Sequence, residues 1–411
     1  MSMKRVVITG VGSVSPFGPG TAALVEGLLE GRSSVGTDGE MERIGGLRTR
    51  VVAKVIDVDP MTIPRKFRRS MSPMSVFATL AAREAVTQAR LSSEEIGDGR
   101  LGVAIGSTVG STQASEDFFR DFFIDDSLER MKSTLFFRIM NHSVAANVTQ
   151  ALGITGRMLA PASACSTGCQ AIGFGYEMLA CGRQEMMLCG GADEFHPLTA
   201  ATFDIMNAAS IGFNDSSERT PRPFDRDRDG VVCAEGAGVV LLETLDSALR
   251  RGAEILGEIA GFATVSDSSN IANPNPAAMA HCMRMALDDA RVPPTQVDYV
   301  NAHATATLQG DVAESEAIGQ LFGSRVPVSS YKGHMGHAMA ASGSLELIAA
   351  LELMRKGCLV PTRNLENIDP ACGGIYHPPR VEEAPVAVFV KNNFALGGVN
   401  SSIVVRRYPH D

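Results

Sequence analysis

The sequence lacks a Cys-x-x-Cys pair, despite its eight cysteines, and it lacks any long hydrophobic run. The missing pairs exclude the common zinc and redox motifs, and eight cysteines in 411 residues are too few for a disulfide framework. The apolar run at residues 6–8 is too short for a signal-peptide core or a membrane-spanning helix. We therefore expect a cytoplasmic protein with reduced thiols and no membrane association.

An excess of positive charge is also absent, because 37 Lys and Arg residues face 46 Asp and Glu residues, for a net charge of −9. This balance excludes a general nucleic-acid-binding or anionic-membrane surface, although a local basic patch is compatible with it. Hydrophobic residues make up 45% of the chain, and glycine occurs 41 times. Such a composition is typical of an α/β protein with a sizeable core.

Short apolar segments that end in glycine or other small residues alternate with segments of helical periodicity. This alternation predicts a layered α/β fold with a mainly parallel sheet. The pattern restarts at residues 257–265, so we expect two related halves that meet near residues 250–260. The predicted strands are 6–9, 102–106, 186–188, 239–242, 298–302, 326–329 and 386–390, and the main predicted helices are 75–89, 167–180, 278–290 and 345–354.

Two segments copy the beginning of a known binding motif without completing it. Gly10 and Gly12 follow a predicted strand, as in a dinucleotide-binding loop, but Ser15 stands where the third glycine is needed. The segment "DRDRDG" at residues 225–230 starts like a calcium loop, yet its twelfth position is Gly236 and not a bidentate glutamate. We expect neither a nucleotide nor a calcium ion at these segments.

The segment "PASACSTGCQ" at residues 161–170 places Cys165 where a further predicted strand, residues 158–164, turns into a helix. The helix dipole favours a thiolate there by roughly 0.3–2 kcal/mol, about one pKa unit from a start near 8.5, which leaves much of the thiol protonated. A working nucleophile therefore needs an imidazole, and His303 and His337 both follow strand-like segments among small residues. Cys169 is interpreted as a small packing residue.

Six motifs, in a fixed order along the chain, carry a resemblance to a known family. They are "KRVVITGVGSVSPFG" at the start, "SACSTG" around Cys165, "RPFDRDRDGVVCAEGAG" at 222–238, "NAHATAT" at 301–307, "KGHMGH" at 332–337 and "NNFALGGVNSS" at 392–402. With them the chain resembles the β-ketoacyl-acyl carrier protein synthases of type II systems, the synthase I/II group of the thiolase superfamily. The resemblance implies a thiolase-like α/β fold with a layered αβαβα core, its halves at residues 1–255 and 256–411.

The resemblance also implies roles for individual residues. Cys165 matches the nucleophile that accepts the acyl group, and His303 and His337 match the histidines that hydrogen-bond the malonyl thioester carbonyl. Lys332 matches a lysine that supports the site, and Glu314 matches the acidic partner of that lysine.

The implied reaction is a decarboxylative condensation of the Cys165 acyl thioester with malonyl-acyl carrier protein, which gives a β-ketoacyl product. The oxyanion hole is expected from the backbone N–H groups of Cys165 and Leu396, and no metal, nucleotide or flavin cofactor is expected. The residues expected to line the acyl pocket are Val109, Phe136, Phe137, Phe394 and Leu396.

The implied partners are acyl carrier proteins, in acyl and malonyl form, and a second subunit. Carrier proteins are acidic, so we expect them to dock on the basic segment "PRKFRR" at residues 64–69. Relatives are usually homodimers, and a heterodimer with a ketosynthase-like subunit is the alternative. The docking residues are expected to be Arg65, Lys66, Arg68 and Arg69.

The sequence departs from the usual family pattern around the expected pocket. "HATAT" replaces His-Gly-Thr-[Gly/Ser]-Thr, Met335 and Val399 replace threonines, and Leu396 replaces an aromatic gate residue. Because leucine is smaller than phenylalanine, we hypothesise a pocket for a non-standard or unsaturated chain. These forms resemble ketosynthases of aryl-polyene-like secondary pathways.

Three other functions are weighed against this one. A thiolase is expected to carry a second cysteine in the final glycine-rich loop, where this chain has "FALGGVN". A non-catalytic chain-length subunit ordinarily lacks the nucleophile that Cys165 provides. A cysteine peptidase could use Cys and His, but it explains neither the two α/β halves nor the paired histidines.

Overall fold

A computed structural model describes residues 3–408, in which strands and helices alternate along the chain. The strands are Val6–Ser15 (β1), Gly18–Pro19 (β2), Gly36–Thr37 (β3), Val51–Ala53 (β4), Leu101–Gly106 (β5), Met158–Leu159 (β6), Met186–Asp193 (β7), Cys233–Ala234 (β8), Gly236–Thr244 (β9), Gly257–Ser266 (β10), Tyr299–Asn301 (β11), Val328–Ser329 (β12), Cys358–Leu359 (β13), Glu382–Glu383 (β14), Val388–Ala395 (β15) and Val399–Arg406 (β16). The helices are Thr21–Leu29 (α1), Arg65–Arg68 (α2), Pro73–Gln88 (α3), Ser93–Gly97 (α4), Thr112–Phe123 (α5), Ser133–Ile139 (α6), Ser143–Leu152 (α7), Thr167–Ala180 (α8), Pro197–Ile205 (α9), Leu245–Arg250 (α10), Pro276–Ala290 (α11), Leu308–Phe322 (α12), Lys332–Met335 (α13) and Ser342–Lys356 (α14).

The main sheet is mixed, so the prediction of a mainly parallel sheet is wrong. Its strand order is β12-β11-β15-β16-β10-β1-β9-β7-β5-β6. The pairs at both ends are parallel, whereas every pair from β15 to β7 is antiparallel. The reason is clearest at β15 and β16, which form a hairpin that turns at Gly397 and Gly398. Both glycines have positive φ, of 90° and 74°, and strands joined by so short a turn must run antiparallel.

Five layers build the core, in the αβαβα order that the resemblance implies. Helices α8 and α14 form the middle layer, between the strands of the first half and those of the second. Helices α3 and α7 cover the first half from outside, and α11 and α12 cover the second. The two middle helices approach each other closely at two glycines. A Cβ on Gly168 would lie 2.5 Å from the carbonyl oxygen of Ala340, and one on Gly343 would lie 2.6 Å from the amide nitrogen of Cys169, so neither position has room for a larger residue.

The cysteines are unpaired, as predicted: all eight lie among the described residues, and all carry free thiols. Cys169 is fully buried in the largest hydrophobic cluster, which confirms its packing role. None of the helices described between residues 3 and 408 is long and apolar enough to cross a lipid bilayer.

Candidate active site

Cys165 lies in a single turn of 3₁₀ helix immediately before α8. The predicted strand in front of it is short, because regular pairing ends at Met158–Leu159. Ala164 has a φ of 47°, in the left-handed region, so the backbone turns sharply at the thiol. The turn is tied to β15, since Asn393 Nδ2 donates to the Cys165 carbonyl (3.0 Å) and Ser166 Oγ donates to the Asn393 carbonyl (2.9 Å).

His337 contacts the thiol directly, with 2.9 Å between its Nε2 and Cys165 Sγ. Its backbone is held on both sides, because its N–H donates to Val232 and its carbonyl accepts from Ala234. Within residues 3–408 its Nδ1 is buried without a hydrogen-bond partner. A buried N–H without a partner is rarer than an unused lone pair, so the proton belongs on Nε2, where it donates to the sulfur.

His303 follows β11 and lies beside His337, with 5.3 Å between the ring centres. Glu314 holds this segment, because its carboxylate accepts the backbone N–H groups of His303 (2.8 Å) and Ala304 (2.7 Å). The Asn393 amide lies 3.4 Å from His303 Nδ1. Since the Cys165 carbonyl can only accept, the Asn393 atom that contacts both is its NH₂ group. His303 Nδ1 is therefore an acceptor, and its proton lies on Nε2.

Lys332 pairs with Glu346 and not with Glu314, so the predicted acidic partner is wrong. Lys332 Nζ lies 2.6 Å from Glu346 Oε1, and both side chains are fully buried. Helix α14 brings Glu346 against α13, whereas both oxygens of Glu314 are occupied by the backbone around His303.

Glu346 and Asn393 are the site residues that the sequence analysis missed. Glu346 had one detectable signal, because it is an acidic residue inside the apolar helical segment 345–354. Asn393 lies within the motif at 392–402, but its motif position alone does not reveal that it joins the Cys165 carbonyl to His303.

Burial dominates the ionisation of the three central side chains. It raises the pKa of Cys165 to about 12, against the smaller opposing effect of Lys332. It lowers the pKa of His337 to about 3 and that of His303 well below its ordinary value, and Lys332 adds to both shifts. Burial therefore outweighs the roughly one pKa unit expected from the helix dipole, and in the resting state a neutral thiol faces two neutral imidazoles.

A cavity of about 420 Å³ adjoins these side chains and includes Cys165, His303 and His337 in its wall. Phe394 and Leu396 also line it, as expected for pocket residues. The remaining members of the predicted acyl pocket, Val109, Phe136 and Phe137, do not line this cavity. They lie on or next to α5 and α6, where Val109 is 59% exposed, Phe136 is 50% exposed and Phe137 is half-buried.

Cys165 Sγ and one ring nitrogen from each of His303 and His337 lie within 4.8 Å of one another. Such a sulfur and nitrogen donor set is one that a soft divalent cation could use.

The predicted docking residues form one exposed turn at α2. Arg65, Lys66 and Arg69 are exposed, and Arg68 is half-buried with its Nη1 3.2 Å from the Pro60 carbonyl. Arg138, which the sequence analysis did not single out, extends this surface because its Nη2 donates to the Arg69 carbonyl.

A buried thiol at a helix start, one imidazole in contact with it and a second beside it, in the middle of an αβαβα fold, define a condensing acyltransferase of the thiolase superfamily. Residues 3–248 match the family described as "Beta-ketoacyl synthase, N-terminal domain", and residues 256–366 match "Beta-ketoacyl synthase, C-terminal domain". The chain belongs to the β-ketoacyl synthase family. It is a 3-oxoacyl-acyl carrier protein synthase, an acyltransferase that catalyses the condensation step of fatty acid or type II polyketide biosynthesis.

Individual relatives match over nearly the whole chain. The chain is 33% identical over 407 residues to 3-oxoacyl-[acyl-carrier-protein] synthase 1 of Escherichia coli (strain K12), with 98% of this chain and 99% of that one covered. It is 35% identical over 418 residues to the tetracenomycin polyketide synthase ketoacyl synthase alpha subunit of Streptomyces glaucescens, with 98% and 97% covered.

Two solved structures have the same fold. A β-ketoacyl synthase from Burkholderia phymatum STM815 superimposes with a TM-score of 0.96 at 39% identity and covers 99% of this chain and 100% of its own. A type II polyketide synthase ketosynthase, solved with its acyl-carrier protein and bound to the hexaketide, has a TM-score of 0.92 at 29% identity, with 99% and 100% covered. The thiolase-like fold implied by the sequence motifs is thereby confirmed.

Proposed function

We propose that Cys165 carries the acyl chain and that His303 and His337 bind the thioester carbonyl of malonyl-acyl carrier protein. One observation carries this assignment: the Cys165 thiol lies 2.9 Å from His337 Nε2, with His303 next to it, on the wall of one cavity. Both imidazoles are neutral and carry their proton on Nε2, so each offers one N–H donor. Neutral donors suit a carbonyl that becomes negatively charged only during the reaction.

Loading exchanges one thioester for another. Cys165 Sγ attacks the acyl carbonyl, the bond from that carbonyl to the carrier sulfur breaks, and the proton of the Cys165 thiol goes to the departing carrier thiolate. Because burial disfavours a free thiolate, the N–H donated by His337 is needed to stabilise the charge that forms on Sγ as the proton leaves. The backbone N–H groups of Cys165 and Leu396 receive the oxyanion of the tetrahedral intermediate.

Condensation starts when malonyl-acyl carrier protein loses its carboxylate. The bond to that carboxylate breaks, carbon dioxide leaves, and the electron pair forms an enolate whose oxygen accepts the Nε2–H groups of His303 and His337. The enolate carbon then attacks the carbonyl of the Cys165 thioester, and the Cys165 thiolate leaves and takes up from solvent the one proton that the overall reaction consumes. Lys332, paired to Glu346, supplies a buried positive charge near this negative charge, and Glu314 keeps the His303 segment in place.

The condensation step is expected to keep its rate between about pH 8 and pH 6. An ordinary histidine becomes protonated over this window, whereas the lowered pKa values keep His303 and His337 neutral far below it. Single-turnover condensation of a pre-formed acyl-enzyme measures this step alone, because Cys165 is then already esterified. A rate that falls tenfold with a midpoint near pH 6.5 contradicts the assignment of neutral imidazole donors.

We propose that the exposed turn around α2 docks the acidic carrier protein. Its support is the concentration of four basic residues, with Arg138 beside them, on a chain of net charge −9. Reversing Arg68 and Arg69 to glutamate is expected to raise KM for the acyl carrier protein at least about tenfold at low salt, and less at high salt. Loading from a small acyl thioester without a carrier protein should be unchanged.

The matched control for this reversal is Arg284→Glu with Lys356→Glu, two exposed positions on other elements that give the same change in net charge. Equal effects of the two double variants on KM show that net charge alone matters, and that docking lies elsewhere.

We propose that the acyl chain is a non-standard or unsaturated one, of the kind used in aryl-polyene-like pathways. The support is Leu396, which is 45% exposed and lines the cavity in place of an aromatic gate residue. Leu396→Phe is expected to lower loading of the bulkiest acyl chains several-fold while leaving short saturated chains unchanged. The measurement is intact-protein mass spectrometry with saturated, polyunsaturated and aryl acyl carrier proteins. If plain saturated chains load best on the unmodified chain, this substrate proposal is wrong.

We further propose that the chain works as a dimer, either with a second copy or with a ketosynthase-like subunit. The support is an exposed apolar surface on and near α5 and α6, to which Phe119, Phe123, Leu128 and Phe136 contribute, each at least 50% exposed. A partner on this surface would cover Val109, Phe136 and Phe137 and make them part of the acyl pocket. Sedimentation equilibrium tests the assembly, and a stable monomer that condenses at full rate contradicts it.

We also propose that the two halves divide near residue 255 and that the protein works in the cytoplasm. The support for the division is that α10 ends at residue 250 and β10 begins at residue 257, and the support for the location is the eight free thiols.

A further inference from the structure

Strand β15 carries a second buried ammonium, on Lys391, that neither the sequence motifs nor the mechanism above uses. The Lys391 side chain is fully buried, and its Nζ donates to Glu346 Oε2 (2.7 Å) and to the Asn392 carbonyl (2.6 Å). Glu346 therefore holds two ammonium groups, Lys332 on one oxygen and Lys391 on the other. Buried ammonium groups are costly unless they are paired and hydrogen-bonded, so a second one on a carboxylate that already has a partner calls for an explanation.

The charges of the neighbouring carboxylates explain why a second buried ammonium is present. Two buried carboxylates, Glu346 and Glu314, interact electrostatically with Lys332. Among residues 3–408 the groups that donate to Glu314 are neutral: two backbone N–H groups and the Asn392 amide, at 3.4 Å. With Lys391 the cluster has two positive and two negative charges. Without Lys391, one ammonium would face two carboxylates.

Lys391 also lies close to the residues that hold the reacting atoms. Lys391 and Asn393 are two residues apart on β15 and thus on the same face, about 7 Å apart. Asn393 contacts both the Cys165 carbonyl and His303. Since the residues between are buried, the interaction of a charge here with a charge at Cys165 is screened far less than on the surface.

We propose that Lys391 is a positioning residue for the condensation, an internal cation that offsets the second buried carboxylate and holds Glu346 against Lys332. The negative charge that develops on Cys165 and on the enolate then forms near two lysines that balance the charges of Glu346 and Glu314. This inference rests on the residue roles proposed above.

The test compares two variants with the unmodified enzyme. Lys391→Gln keeps an N–H donor toward Glu346 and removes the charge, and we expect kcat to fall on the order of 10- to 100-fold with KM for malonyl-acyl carrier protein little changed. Lys391→Ala leaves a space where the side chain was, and adding methylammonium is expected to restore kcat at least about fivefold. Tetramethylammonium at the same ionic strength is too large for this space and should have no effect.

Circular dichroism and thermal unfolding establish that each variant is folded. Lys391→Gln retains its hydrogen-bonding capacity, so the test does not depend on the alanine variant being stable without the amine. A folded Lys391→Gln enzyme with the kcat of the unmodified chain overturns the inference, and so does a folded Lys391→Ala enzyme that methylammonium does not restore. If the unmodified enzyme itself forms no condensation product, the proposed function fails and not the role of Lys391.

Discussion

Replacing Cys165 with alanine is expected to abolish acyl-enzyme formation and to lower the rate of condensation by at least about 10⁴-fold. The variant keeps the fold, because the side chain is small and the turn is tied to β15 through the Cys165 carbonyl, which accepts from the Asn393 side chain, and not through the thiol. It removes the sulfur that lies 2.9 Å from His337 Nε2. Intact-protein mass spectrometry after incubation with acyl carrier protein should show the acyl mass on the unmodified chain, mapped by digestion to Cys165, and none on the variant.

Cys169→Ala is the matched control, since Cys169 lies four residues after Cys165, in the first turn of α8, and is also buried. Burial is the main cause that raises the pKa of the Cys169 thiol to about 12, the same as that of Cys165, so thiol acidity does not distinguish the two. Of these two thiols within residues 3–408, Cys165 is the one hydrogen-bonded to an imidazole. We therefore expect Cys169→Ala to load normally, and acylation that persists in Cys165→Ala means that the nucleophile has been assigned to the wrong thiol.

The two histidine variants are expected to have the second largest effects, and to differ from each other. His303→Ala removes an enolate donor without removing the contact on Sγ, so condensation should fall about 10²- to 10³-fold while loading of Cys165 continues. His337→Ala removes an enolate donor and also the 2.9 Å contact with the thiol, so both steps should slow. Loading is measured by mass spectrometry, and condensation by single turnover with malonyl-acyl carrier protein.

His281→Ala, at an exposed position of α11, controls for the loss of an imidazole as such and should leave both steps unchanged. If His303→Ala and His337→Ala slow loading equally, the separate contact of His337 with the thiol has no catalytic consequence. If His303→Ala condenses at the full rate, the enolate is not bound by that side chain.

Much of the site could be predicted because its chemistry is concentrated in short motifs. Cys165, His303 and His337 each stand among small residues at the end of a predicted strand, and the structure brings all three to one cavity wall. The predicted helices also correspond to α3, α8, α11 and α14. The direction of strand pairing could not be predicted in the same way, because it depends on how β1, β9 and β10 meet and not on the apolar pattern of any one strand.

The ion pair of Lys332 shows why the rest could not be predicted. Glu314 and Glu346 both lie in helical segments, and their spacing from Lys332 in the sequence does not say which carboxylate is near it. Helix α14 passes against α13 and brings Glu346 within 2.6 Å of the ammonium, while Glu314 turns toward the backbone of His303.

The sequence by itself determined which side chains we propose for thioester chemistry, because a nucleophilic thiol and two imidazole donors must be particular residue types, and each of them stands in a short motif. Only the tertiary structure decided their protonation and their electrostatic partners. Burial raises the pKa of Cys165 and lowers the pKa values of His303 and His337. The packing of α13, α14 and β15 brings Lys332, Glu346 and Lys391 into one cluster. These properties depend on the removal of water and on distances of a few ångströms between elements far apart in the chain, and no local pattern of residues encodes either.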